Sequence, residues 1–174
     1  KTIVRSKSDS VDQIKGPASC SHFFSSLKIS QPQLQPMGFL SMSVMLFVNG
    51  TLMRGLALHS NLDGAEFLGE ARTIPQYRIY SIDDIHPGMF ELDDGEEGGV
   101  SVVGEIYKMS DKIWTRVEAN EPPHLYKGPV KLVNGNTMDG ILFPRDLAEN
   151  STYGYIDISS FGDWRKYMAH KNKL

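Results

Sequence analysis

The sequence predicts a small α+β domain with mostly antiparallel strands, an arrangement that can close into a barrel. Three observations predict it. An unbroken apolar run occupies residues 44–48. About six strand-sized stretches are separated by Gly, Asp and Pro turns. Only short amphipathic segments, around Ile113 and Trp164, have helical spacing.

The apolar run reads as a strand buried on both faces. It breaks directly into Asn49-Gly50-Thr51, with Arg54-Gly55 close behind. A glycine turn at the end of such a strand lets backbone amides point into a pocket and hold an anion.

After the Asp63-Gly64 turn, residues 66–73 read as a mixed strand. Pro75 introduces an alternating strand at 76–80. A loop containing Asp83, Asp84 and His86 leads to a short strand at 89–92, and the acidic, glycine-rich 93–99 is an exposed turn. Residues 100–109 form a strand with Val100, Val102 and Ile106 on one face and Val103, Glu105 and Tyr107 on the other. A glutamate in such a strand is expected to be solvated, with lining a pocket as the alternative.

Asp111 is placed to cap a short helix that turns Ile113, Trp114 and Val117 inward. Glu121-Pro122-Pro123 ends it, because a residue before proline is driven out of the helical region. Residues 126–133, Asn134-Gly135 and 138–143 carry the best hairpin signal in the chain. Ser159 or Ser160 is placed to cap a last helix at 161–170. Phe161, Trp164 and Met168 share a side of that helix, and Lys and His lie at its negative end.

Composition narrows the function. The 174 residues carry a net charge of −3, with a pI near 5.9. This argues against a nucleic-acid partner, which selects a basic face. The longest apolar run is strand-sized, so no membrane span is expected. The single cysteine, Cys20, leaves no internal disulfide and suits a reducing, cytoplasmic setting. One cysteine and five scattered histidines do not make a zinc site of the usual kind, and no metal or other cofactor is expected.

Residues 1–40 are rich in Ser, Gln and Lys, and Asp9 and Asp12 are their only acids. They read as a flexible arm or an organelle-targeting tail. That leaves 41–174 as the domain.

Asn49-Gly50-Thr51-Leu52-Met53-Arg54-Gly55-Leu56 is similar to the opening motif of the γ-glutamylcyclotransferase-like fold, usually Tyr-Gly-Ser/Thr-Leu. A longer series of blocks resembles the C-terminal domain of allophanate hydrolase. It comprises Glu70-Ala71-Arg72-Thr73, Pro75-Gln76-Tyr77-Arg78-Ile79-Tyr80-Ser81-Ile82, His86-Pro87-Gly88-Met89, Glu121-Pro122-Pro123-His124-Leu125 and Phe161-Gly162-Asp163-Trp164-Arg165-Lys166-Tyr167. These blocks keep order and spacing between Met45 and Met168.

The resemblance implies a γ-glutamylcyclotransferase-like, mixed barrel around a central pocket. The pocket would be walled by the turn Asn49-Gly50-Thr51-Leu52 and by a carboxylate. Glu121 occupies the position of the cyclotransferase acid/base glutamate. A carboxylate in a walled pocket has its pKa raised toward neutrality; the alternative is that Glu121 ends its helix in solvent.

His86 is the second candidate for proton transfer, against an ordinary exposed loop histidine. Arg54 can clamp a substrate carboxylate, or it forms a surface ion pair. Tyr80 and Tyr126 are core or rim aromatics that can also touch a ligand. The family tyrosine at the start of the motif is Asn49 here, which weakens recognition of a γ-glutamyl group by that route.

Allophanate hydrolase pairs an amidase with this domain. The chain has no room for the amidase, so it is expected to be the second domain on its own.

Three functions follow. The first is a stand-alone enzyme using acid/base chemistry, either decarboxylation or amide and acyl chemistry, on a small carboxylate- or amide-bearing metabolite. The second is a γ-glutamylcyclotransferase-type lyase forming 5-oxoproline. The third is a non-catalytic partner of a separate amidase. Oligomerisation stays open.

Overall fold

The computed structural model describes residues 43–173; the expected arm at 1–40 lies outside them. The central element is the apolar run, strand β1 (Ser43–Val48), in which Leu46, Phe47 and Val48 are fully buried. It sits third in a five-stranded sheet with β2 (Glu66–Arg72), β5 (Val103–Ser110), β6 (Tyr126–Lys131) and β7 (Thr137–Leu142), in the order β2-β5-β1-β7-β6. All pairings are antiparallel except β1 with β7. Over Leu46–Val48 the strand is flanked on both edges and covered on both faces, which leaves no place for a polar side chain there, whereas Met45 is exposed.

A second sheet, in the order β4-β3-β8, contains β3 (Tyr77–Ile82), β4 (His86–Glu91) and the two-residue β8 (Ile156–Asp157). The helices are α1 (Asp111–Ala119), the short α2 (Arg145–Ala148) and α3 (Trp164–Lys171).

The expected barrel is not closed. One bridge, Thr73 to Leu132, joins the far ends of edge strands β2 and β6, but pairing does not continue along them. Strand β2 bends at a bulge between Phe67 and Gly69, where Gly69 has a φ of 144°. Strand β6 carries Pro129, which has no N–H to give a further neighbour and suits an edge. The result is an α+β fold of two sheets rather than a cylinder.

The hairpin is as expected: β6 and β7 pair from Tyr126–Leu142 to Lys131–Thr137 across Asn134-Gly135. Both helix caps differ. Asp111 is the first residue of α1 rather than its cap. At α3 the cap is Asp163, whose carboxylate accepts from the Arg165 N–H at 2.8 Å. Ser159 is engaged elsewhere, its hydroxyl accepting from the Ile79 N–H at 3.0 Å. The cap places Trp164 and Tyr167 in the core, with Phe161 and Met168 packed against it.

Glu105 also departs from expectation. It is fully buried, and with Tyr107 and Met109 it faces the core while Ile106 is half-buried.

Candidate active site

Three chain segments meet at the end of β1. The turn 49–52 leaves the strand, His86 and Pro87 open β4, and the connection from α1 to β6 brings Glu121 and Leu125. Together with Val48 and with Ile141 of β7 they line a cleft of about 260 Å³, open solvent included. His86 is therefore not a loop residue: strand pairing with Ile82 buries it.

The turn is polarised. Its carbonyls are occupied: Gly50 O accepts from Met53 N–H at 2.9 Å, and Thr51 O from Leu58 N–H at 3.0 Å. Leu52 O lies 3.0 Å from His59 Nδ1. The N–H groups of Gly50, Thr51 and Leu52 donate to no backbone acceptor among the described residues. Free donors beside satisfied acceptors give the turn a positive face, suited to an anion or a developing oxyanion.

Two side chains in the cleft are left with buried, unpartnered atoms among the described residues, Asn49 Nδ2 and Glu121 Oε1. One is a donor and the other an acceptor, so a ligand with both functions satisfies them. Burial, with no compensating cation, raises the Glu121 carboxyl from its ordinary 4.5 to about 7. Burial also lowers the His86 pKa, outweighing the contact of Nδ1 with Pro87 O at 3.2 Å. At neutral pH His86 is thus an uncharged donor or acceptor, while Glu121 is shared between its two protonation states.

The remaining predicted residues stand elsewhere. Arg54 is turned from the cleft lining; its Nε donates to Glu105 Oε1 at 3.2 Å, and its guanidinium lies 3.6 Å from the centroid of the Phe67 ring. Tyr80 packs against Phe90 with ring centroids 5.8 Å apart, in a separate apolar cluster. Tyr126 lines an adjoining cavity that shares Glu121 with the cleft. Sequence reasoning missed Val48, Pro87, Leu125 and Ile141. Pro87 and Leu125 lie inside the motif blocks, but nothing in a hairpin residue such as Ile141 marks it as a cleft wall.

Gly50 holds the cleft to its width. A Cβ there would lie 2.5 Å from Pro87 Cγ and 2.7 Å from Cδ, both in a rigid ring. Gly50→Ala is expected to destabilise by about 1–3 kcal/mol, the usual cost of overpacking. Urea denaturation measures this, and a loss below about 0.5 kcal/mol would mean that Pro87 moves freely.

The model of the allophanate hydrolase C-terminal domain family matches residues 44–169. The chain belongs to that family. Among solved structures, a uropathogenic E. coli-specific protein is 39% identical with a TM-score of 0.67, covering 74% of this chain and 98% of that one. Kluyveromyces lactis allophanate hydrolase is 26% identical with a TM-score of 0.67, and the match covers 74% of this chain but 21% of that enzyme. A Vibrio cholerae protein named "Putative gamma-glutamylcyclotransferase" is 31% identical over 80 residues, 46% of this chain. The match spans 64% of that relative, less than two thirds of its length.

Among the described residues no group of three or more His, Cys, Asp and Glu side chains is arranged to hold a metal ion, and no helix is long and apolar enough to cross a membrane.

Proposed function

We propose that this chain is a small-molecule enzyme in which Glu121 moves a proton and the 49–52 turn steadies negative charge on the substrate. The observation that carries the reading is the Glu121 carboxyl: its Oε1 is buried and unpartnered among the described residues, burial raises its pKa to about 7, and it lines one cleft with the 49–52 turn. An acid/base group works best when its pKa lies near the operating pH. Donors aimed at the reacting oxygen lower the barrier further.

The substrate class is a small carboxylate- or amide-bearing metabolite. Its acceptor oxygen would meet the turn and Asn49 Nδ2, and its ionisable hydrogen would meet Glu121. His86, held neutral, supplies a second polar contact. Glu121 as carboxylate takes a proton from the attacking group and, as acid, gives it to the departing nitrogen. Decarboxylation and amide or acyl chemistry are both within reach of this set.

A second reading, cyclisation of a γ-glutamyl amide to 5-oxoproline, is supported by the name of the Vibrio relative. A third, action beside a separate amidase, is supported by the match to one fifth of the K. lactis allophanate hydrolase.

The test is an NMR time course with γ-glutamyl amides and with N-carboxylated and acylated ureas, run on wild type and Glu121→Gln. Turnover that disappears in the variant supports the proposal and names the substrate class. Equal turnover in both removes Glu121 from the mechanism. No turnover in either, combined with binding of a purified amidase, favours the third reading.

A further inference from the structure

A second cavity adjoins the cleft, about 280 Å³ with open solvent included. The two share Glu121, Leu125 and Ile141. The rest of the second wall is Trp114 and Glu118 of α1 with Tyr126 and Lys127 of β6. The chemistry of the two spaces differs. The first is walled by the 49–52 turn, whereas the second sets the Trp114 and Tyr126 rings beside Leu125 and Ile141, with Glu118, Glu121 and Lys127 as its charged members.

The charge in the second space is partly spoken for. Lys127 Nζ lies 5.0 Å from the centroid of the Trp114 ring and 3.1 Å from the Asp139 carboxylate. Tyr126 is half-exposed, one of eight large apolar side chains open to solvent among the described residues. Neither Trp114 nor Tyr126 has a part in the proton transfer assigned to Glu121.

We propose that this second cavity is a specificity subsite for a flat, apolar group attached to the substrate's reacting centre. The inference rests on the reading of Glu121 as the acid/base group. A substrate of two parts spans both spaces: a polar head on the 49–52 amides and an apolar body against Trp114, Tyr126, Leu125 and Ile141. The bond between them then lies beside the carboxyl that both cavities share. Aromatic walls favour a planar occupant through offset or edge-on contacts.

The test uses two matched pairs of probes, γ-glutamyl methylamide with γ-glutamyl benzylamide and N-acetylurea with N-benzoylurea. Saturation-transfer NMR and titration are run on wild type, Tyr126→Ala, Trp114→Leu and Glu121→Gln. In at least one pair the ring-bearing probe should bind wild type about ten-fold more tightly than its methyl partner, the scale of discrimination an apolar pocket reaches. Saturation should concentrate on the ring protons. Tyr126→Ala and Trp114→Leu should each erase most of that preference, and Glu121→Gln should keep it. Tyr126 is half-exposed, so its truncation tests the subsite without threatening the fold.

Equal affinity within both pairs, absence of binding by all four probes, or a preference that survives both aromatic variants would overturn the subsite. Loss of the preference while turnover still depends on Glu121 sinks the subsite alone. A preference intact while wild type and Glu121→Gln turn over equally sinks the acid/base reading alone.

Discussion

Glu121→Gln is expected to abolish turnover and, above neutral pH, to leave a more stable protein than wild type. Losing a positioned acid/base group typically costs 10²–10⁴-fold in rate. The stability effect follows from the raised pKa. Below the ordinary carboxylate value of 4.5 the group is protonated folded or unfolded and contributes nothing to pH dependence. Between 4.5 and about 7 the folded protein holds a proton that the unfolded chain releases, so stability falls as pH rises, then levels off above 7. At about 1.4 kcal/mol per pKa unit the full loss is roughly 3 kcal/mol or a little more.

Glutamine is neutral at every pH and nearly the same shape, so the variant lacks this decline. The difference between variant and wild type in urea denaturation should be near zero at pH 4 and grow toward about 3 kcal/mol at pH 8. Taking the difference removes the opposite trend of carboxylates with lowered pKa, such as Asp84, which stabilise at higher pH. A difference that stays flat from pH 4 to 8 would show that the Glu121 carboxyl is ordinary, and the acid/base reading would lose its main support. With substrate in hand, kcat/KM should climb toward pH 7 if the carboxylate is the required form in the free enzyme.

Glu105→Ala is expected to cause the largest loss of stability. The Glu105 carboxylate is fully buried and accepts from Arg54 N–H at 2.9 Å, Arg54 Nε at 3.2 Å, Tyr107 OH at 2.8 Å and Arg165 Nη2 at 2.9 Å. Burial alone would raise its pKa, but these four donors together hold it below the usual range. Tyr107 is pushed up in turn, by burial and by its bond to the carboxylate.

Removing the acceptor leaves a tyrosine hydroxyl and a backbone N–H unpaired, while the two partly exposed guanidinium groups regain water. Breaking a buried ion pair costs about 3–5 kcal/mol, and the lower end applies here because both cations are partly solvated. Guanidinium denaturation measures it. A loss under about 1 kcal/mol would place this network with ordinary surface ion pairs.

The effect should reach the cleft. Arg165 Nη2 also donates to Arg54 O at 2.8 Å, so the carboxylate ties the start of α3 to the segment that continues from the 49–52 turn. Hydrogen exchange should quicken at Met53, Arg54 and the first turn of α3.

Much of this molecule is legible in its residues because the signals are local. Continuous apolarity places β1 in the middle of a sheet, Asn134-Gly135 places a hairpin, and Pro122-Pro123 ends α1 and leaves Glu121 at its exit. The resemblance carried by ordered motif blocks puts Glu121, His86 and the 49–52 turn forward together, and one cleft contains them all. The errors arise where several acceptors compete. Ser159 and Asp163 are both good caps, and Ser159 is taken by the backbone of β3. Glu105 alternates in register with Tyr107, and nothing in a strand pattern says that two arginines from distant segments will converge on it.

By itself the sequence determined the α+β class, most of the strands, the hairpin and the two longer helices, and it put forward the candidate groups, since propensity, turn stereochemistry and motif spacing act over a few residues. Only the tertiary structure decided the rest. It left the sheet open at a bulge and a proline, and it turned Arg54 from the cleft onto a buried carboxylate. It enclosed Glu121 without a partner and set a second cavity beside it. Each of these depends on which distant groups share a low-dielectric space, and burial and charge pairing are properties of that shared space, not of neighbouring residues in the chain.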